Sequence, residues 1–370
     1  MWQSAGIRNF LSRSDHFYLD HAATTPVLPV AVEAVGRALE AWANPSSPHA
    51  DGRRARAALE QARKGIAEAL AWRHDVILTS GASEAIQIVA ARAKAGRRVL
   101  GPTEHDAVVA AMGAEAEVLD VDSDGLIELE SLHRALAAGP ALVAVQLVNN
   151  ETGVIQPIDG IHQIVRDSGS LLLADCAQGA GKVPLPDADF IAISGHKFGA
   201  PPGIGALLVK YLATLEASGG QERGYRRGTE NLPAAAGMAA ALDSRAFVEA
   251  MPRLASLREQ LEQDIIAAGG TVIAANAPRI PTIGAYAMPG VASASQLVQL
   301  DLAGIAISAG SACSSGSMKP SRVLAAMGVD PQVASSTIRA SFGPSTSERD
   351  VERFTAEWRR IRQRGKAEAA

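Results

Sequence analysis

The stretch "LLLADCAQGAGKVPLPDADFIAISGHKFGAPPGIGALLVK", residues 171–210, contains three apolar runs, each bounded by polar or turn-forming residues. Leu171–Ala174 ends in Asp175, Phe190–Ile193 ends in Ser194, and Gly205–Val209 follows a Gly/Pro-rich segment. Because successive positions are apolar, both faces of such strands must be covered, as they are when a sheet lies between helix layers. Further upstream, "DVILTS" (75–80), "RRVLGP" (97–102), "EAEVLDV" (115–121) and "ALVAVQLV" (141–148) repeat the pattern. Ala-rich helical stretches such as "SEAIQIVAARAKAG" (83–96) separate them. This alternation predicts an α/β domain with a mostly parallel sheet of the seven-stranded type, flanked by helices.

Beyond about residue 230 the texture changes. A long helical pattern, "PRLASLREQLEQDIIAAGG" (252–270), leads into "TVIAAN" (271–276) and "TIGAYAMPG" (282–290), then a loop and a helical C-terminus. We expect residues 15–249 to form a large domain. A smaller α+β domain is expected from residues 1–14 and 250–370.

The 370 residues leave room for two lobes. Hydrophobic residues make up 47% and charged residues 20%, which supplies a full core. Thirty-five Lys and Arg against 39 Asp and Glu give a net charge of −4, which argues against a nucleic-acid or anionic-lipid surface. Two cysteines make no disulfide framework and fit a reducing, cytoplasmic setting. No run approaches the ~18 apolar residues of a membrane span. The histidines and cysteines show no metal-ligand spacing, so no metal is expected.

The strand ends carry the candidate chemistry. Ligands of α/β folds gather in loops beyond the carboxyl ends of strands. Lys197 follows the run ending at Ser194, where a lysine is able to form a Schiff base with a carbonyl cofactor. Asp175 reads either as a turn or capping residue or as the partner of a pyridinium nitrogen. Gln178, three residues on, is a candidate to hydrogen-bond the same ring. In "LTSGASEA" (78–85) the small residues Gly81, Ala82 and Ser83 open a helix, either as an ordinary turn capped by Ser83 or as a phosphate cradle. "QGAGK" (178–182) is not a nucleotide P-loop, because Cys176 and Val183 replace its first glycine and its final Ser/Thr. His105 and Asn150 follow buried strands, and an imidazole there suits ring stacking and proton transfer. Arg339, within "STIRASFG" (336–343), needs an anion: a buried salt bridge or a substrate carboxylate.

Ten stretches in order, "YLDHAATTP" (18–26), "NPSSPHADGR" (44–53), "TSGASEA" (79–85), "TEHDAVV" (103–109), "VNNETGVIQPI" (148–158), "ADCAQGAGK" (174–182), "SGHKFGAPPGIGALLV" (194–209), "GGQERGYRRGTEN" (219–231), "SAGSACSSG" (308–316) and "IRASFG" (338–343), resemble the motif series of group I cysteine desulfurases. These are class V aminotransferase-like, pyridoxal-phosphate-dependent enzymes of fold-type I. The resemblance implies conversion of L-cysteine to L-alanine, with sulfur passing to Cys313 as a persulfide and on to an acceptor protein in iron–sulfur cluster assembly or thiolation. It implies that Lys197 carries the cofactor, Asp175 pairs with its ring nitrogen, and Gln178 and Asn150 contact its ring oxygen. Ala82, Ser83, Ser194 and His196 would hold the phosphate, with Thr229 reaching in from the second subunit of a homodimer. His105 would stack on the ring and carry protons. Arg339, with Asn150, would bind the substrate.

The same fold also hosts selenocysteine lyases and small-amino-acid aminotransferases. A non-catalytic sulfur-relay protein is the reading from another class. Gly310 and Gly316 bracket Cys313 as expected hinges.

Overall fold

The computed structural model describes residues 16–310 and 320–369. Its strands are β1 (Phe17–Tyr18), β2 (Asp75–Thr79), β3 (Arg97–Leu100), β4 (Glu117–Val118), β5 (Ala141–Gln146), β6 (Leu171–Asp175), β7 (Phe190–Ser194), β8 (Gly205–Val209), β9 (Thr271–Val272), β10 (Ile283–Ala287), β11 (Ile305–Ala306) and β12 (Thr337–Ser341). Seven of them form the central sheet in the order β2-β8-β7-β6-β5-β3-β4. The run from β7 to β4 is parallel throughout, whereas β8 lies antiparallel to both β7 and β2.

That reversal has a simple cause. Only the ten residues 195–204 link β7 to β8, and a parallel return needs a crossover of about a dozen or more. Gly205 opens β8 where a Cβ would fall 2.6 Å from the Gly81 Cα, so the strand packs directly beneath the β2 turn.

Side chains leave the central strands alternately to two cores. Val143, Val145, Leu172, Ala174, Ile191 and Ile193 join one cluster, whereas Leu142, Ala144, Leu173, Phe190 and Ala192 join the other. Period-two alternation with both faces apolar is what helices on either side require. Each fully buried Leu, Ile or Phe contributes about 1.5–3 kcal/mol of transfer free energy.

A third cluster gathers Leu254, Leu257 and Leu261 of helix Ala246–Ala267 against Phe354 and Trp358 of helix Glu348–Ala369. Phe17 and Leu19 pack into it, and β1 pairs with β11. The expected boundary at 249/250 therefore falls within helix Ala246–Ala267. Here the sheet is antiparallel, in the order β12-β10-β9. The β4 strand is just two exposed residues, shorter than "EAEVLDV" suggests, because at the sheet edge it has one neighbour to pair with. Among the described residues no helix is long and apolar enough to cross a membrane.

Candidate active site

The carboxyl ends of β5, β6 and β7 and the start of helix Ala82–Arg92 surround a cavity of about 590 Å³. Ala82, Ser83, His105, Asn150, Asp175, Gln178, Ser194, His196, Lys197 and Arg339 all line it. A slightly larger groove of about 650 Å³ lies between helices Ala50–Ala69 and Leu232–Asp243, but it is lined largely by alanines and gathers no comparable set of groups.

Lys197 ends a single 3₁₀ turn, Gly195–Lys197, placed directly after β7. Its Nζ donates to the carbonyls of Ala22 and Ala23, each at 2.8 Å. The "YLDHAATTP" segment thus supplies a polar seat that holds the amine at the cavity wall. Asp175 terminates β6 and accepts a hydrogen bond from the Ala177 N–H at 2.9 Å. Burial pushes its carboxyl above the usual carboxylate range, while the Ala177 N–H, His105 and Lys197 pull the other way. A cation placed against Asp175 would relieve that burial cost.

The phosphate cradle differs in one detail from the sequence reading. Gly81, not Ser83, is the N-cap, so the helix opens with no side chain capping its first N–H groups. Ser83 lies in the first turn and its hydroxyl is spared for the cavity. Uncapped helix N–H groups with the dipole behind them form an anion site. The Ser194 hydroxyl comes within 3.4 Å of where a Gly81 Cβ would stand. The ring of His196 meets the Thr24 hydroxyl at 3.2 Å. Burial, reinforced by Lys197 and Lys182, lowers the His196 pKa to about 4, so near neutral pH this imidazole is uncharged.

His105 doubles as the N-cap of helix Asp106–Met112, its Nδ1 accepting from the Ala107 N–H at 3.1 Å. With Nδ1 occupied as an acceptor, the neutral ring carries its proton on Nε2. Asn149 and Asn150 separate cleanly in role. The Asn149 side chain is buried, accepting the Glu151 and Thr152 N–H groups and donating to Thr103, while Asn150 lines the cavity.

Arg339 stands on β12, the strand that reaches the cavity from the antiparallel sheet. The salt bridge is present: Nη2 lies 2.8 Å from Asp20 Oδ1, and Nη1 donates to the Asn150 carbonyl at 3.0 Å. Its Nε is buried without a hydrogen-bond partner among the described residues.

Thr229 is exposed and does not line the cavity of its own chain. Cys313 and Gly316 lie outside the described residues. Gly310, just before them, has φ +48°, a conformation that favours glycine. Cys176 is fully buried, and burial with Asp175 nearby pushes its thiol well up, away from thiolate chemistry. Asp20, the Ala22 and Ala23 carbonyls and Gln146 complete the surroundings and escaped the sequence reading. No local signal marks a carbonyl as a lysine's acceptor from 175 residues away.

Residues 17–354 match the family model "Aminotransferase class-V". A cysteine desulfurase of Gluconacetobacter diazotrophicus is 36% identical, the alignment covering 91% of this chain and 90% of that protein. An IscS-like cysteine desulfurase of Mycobacterium tuberculosis is also 36% identical, covering 90% and 93%. The solved NifS-like protein of Rickettsia africae superposes with a TM-score of 0.86 at 31% identity, over 94% of this chain and 99% of that one.

Proposed function

Because this chain belongs to the class-V aminotransferase family, and within it sits among the cysteine desulfurases, we infer that the cavity is where it removes sulfur from L-cysteine. It is a pyridoxal-phosphate-dependent enzyme. The observation that carries the residue assignment is convergence: amine, buried carboxylate, uncapped helix N-terminus and arginine line one cavity.

The donor set suits the cofactor. Lys197 would carry it covalently, Asp175 would face its ring nitrogen, and His105 would lie against the ring. Gln178 and Asn150 would meet its ring oxygen. Ala82, Ser83, Ser194 and His196 would hold its phosphate, joined by Thr229 of a second subunit. When bound, pyridoxal phosphate supplies an electron sink for charge released at the amino acid's α-carbon.

The chain's own groups do the rest. Arg339, with Asn150 beside it, orients the substrate through its carboxylate, a pairing suited to the planar guanidinium. The Lys197 amine, when free, would take the α-proton and later return one. His105 Nε2 moves a proton at the substrate sulfur. The Cys313 thiolate attacks that sulfur, the C–S bond breaks with its electron pair going to carbon, and protonation there yields L-alanine. Cys313 is left as a persulfide, to be passed to an acceptor protein; iron–sulfur cluster assembly is the reading favoured by the names of the relatives. A homodimer in the cytoplasm, with residues 15–249 as the larger lobe, completes the proposal.

Cys313→Ala tests it. The variant should bind pyridoxal phosphate and L-cysteine normally yet form almost no alanine, and mass spectrometry of the wild type should find the persulfide on Cys313. Sulfide release at the wild-type rate in the variant would remove Cys313 from the reaction. Accumulation of a keto acid in place of alanine would point to transamination.

A further inference from the structure

Lys182 is 4% exposed and forms no ion pair among the described residues. It follows Gln178 by one turn, and its Nζ donates to Gln178 Oε1 at 3.3 Å. The Gln178 Nε2 then donates to the Ala22 carbonyl at 2.8 Å, the same carbonyl that receives the Lys197 amine. Four groups thus form one chain: Lys182, Gln178, the Ala22 carbonyl and Lys197.

An amide that bridges a lysine and a carbonyl has one orientation open to it. A backbone carbonyl only accepts, so the amide nitrogen must face Ala22, and the amide oxygen faces the lysine. We propose that Lys182 is a positioning residue that locks the Gln178 amide as a donor toward the cofactor, leaving the second Nε2 hydrogen for the cofactor's ring oxygen. This rests on the reading that pyridoxal phosphate occupies the cavity.

The surroundings explain why a lysine serves here. On its far side Nζ lies 5.0 Å from the centre of the Phe247 ring, on helix Ala246–Ala267. Among the described residues, the titratable groups that feel its charge or act on it are His21, His196 and Lys197, and none of these supplies a negative charge. Burial, and then Lys197, bring the Lys182 pKa down to about 7, so its proton is lightly held while its N–H groups persist in either state. Lys182 therefore acts as a steady donor. Its fractional charge also disfavours protonation of neighbouring basic groups.

Both effects predict the same shift. A donor on the ring oxygen and positive charge behind it favour the deprotonated form of the lysine-bound cofactor. Lys182→Met removes both, so the pH midpoint of the cofactor's visible absorbance should rise by about one unit, and the Kd of apoprotein for pyridoxal phosphate should rise about tenfold. In a Gln178→Ala background, the same Lys182→Met change should move the midpoint by less than half as much, because the amide is gone and only the effect of the lysine's charge remains. Lys182→Leu, which likewise has neither donor nor charge, takes the place of Lys182→Met if the latter does not fold, as judged by circular dichroism. An unchanged midpoint in the single variant would overturn the proposal, as would a full shift that survives in the Gln178→Ala background. A wild-type protein that takes up no pyridoxal phosphate would instead overturn the reading beneath it.

Discussion

The cavity has two walls built on opposite principles. On the parallel sheet, Asp175, Ser194 and Lys197 stand at or just beyond strand ends, where the backbone turns away and short polar contacts seat Asp175 and Lys197. Arg339 sits inside β12, with a backbone fixed by the β10 ladder and by mutual bonds with Ser308. Its side chain is held by Asp20 and the Asn150 carbonyl. The first wall therefore places reactive groups at the end of a rigid frame, whereas the second makes a charged side chain part of the frame. Reactive amines and carboxyls belong on the first kind of wall. An orienting cation belongs on the second.

The largest effect should come from the first wall. Lys197→Ala should cut turnover by about 10³-fold or more, because proton transfer at the α-carbon loses its base. It should also abolish borohydride fixation of the cofactor to the protein. Fixation that persists would assign the covalent link to another lysine, and the contrast between the walls would break at its main point.

Next in size is a stability effect at the margin of that wall. Arg63 meets Glu222 through Nη1 at 2.5 Å and Nη2 at 3.0 Å, with both side chains buried, and Glu222 also accepts the Leu78 N–H of β2 at 2.8 Å. Glu222 and Arg223 both adopt positive φ, so the pair holds a strained turn in the segment that leads to Thr229. Glu222→Ala leaves Arg63 with the half-exposed Glu60 as its remaining carboxylate and the Leu78 N–H without an acceptor, and should cost about 2 kcal/mol in urea unfolding. A loss below about 1 kcal/mol would mean that the segment is held by its other contacts.

The two walls also differ in how far the chain discloses them. Asp175, Ser194 and Lys197 are legible because an apolar run ending in a polar residue marks a strand end, and the site lies there. The antiparallel turn of β8 was legible in principle from the ten residues available to the link. The second wall is legible only by half: Arg339 in an apolar run calls for an anion, but nothing in the sequence points to Asp20, 319 residues away, as its partner. The Ala22 carbonyl is more hidden still: it is a backbone group, and its use by Gln178 and Lys197 depends on how the N-terminal segment crosses the sheet. The helix cap is Gly81 rather than Ser83, the alternative that serine's capping preference suggests. Gly81 is also where β8 comes closest, a Cβ on Gly205 falling 2.6 Å from its Cα.

Arg339→Lys probes the second wall directly. A lysine keeps the charge but loses the planar fork, so KM for L-cysteine should rise about tenfold to thirtyfold, with a smaller fall in kcat. A fall confined to kcat would show that Arg339 acts on the reacting atoms and belongs with the first wall.

The smallest expected effect is also the most discriminating. Asp20 neutralises Arg339 in the structure, and a substrate carboxylate must compete with that pairing. If the guanidinium is held mainly by its place on β12 and by the Asn150 carbonyl, Asp20→Asn removes a competitor without releasing the arginine. KM should then fall about threefold with kcat unchanged, less than 1 kcal/mol and within the range of a partly solvated ion pair. A rise in KM would mean that Asp20 aims the guanidinium, and that the second wall, like the first, depends on a local polar seat more than on the strand beneath it.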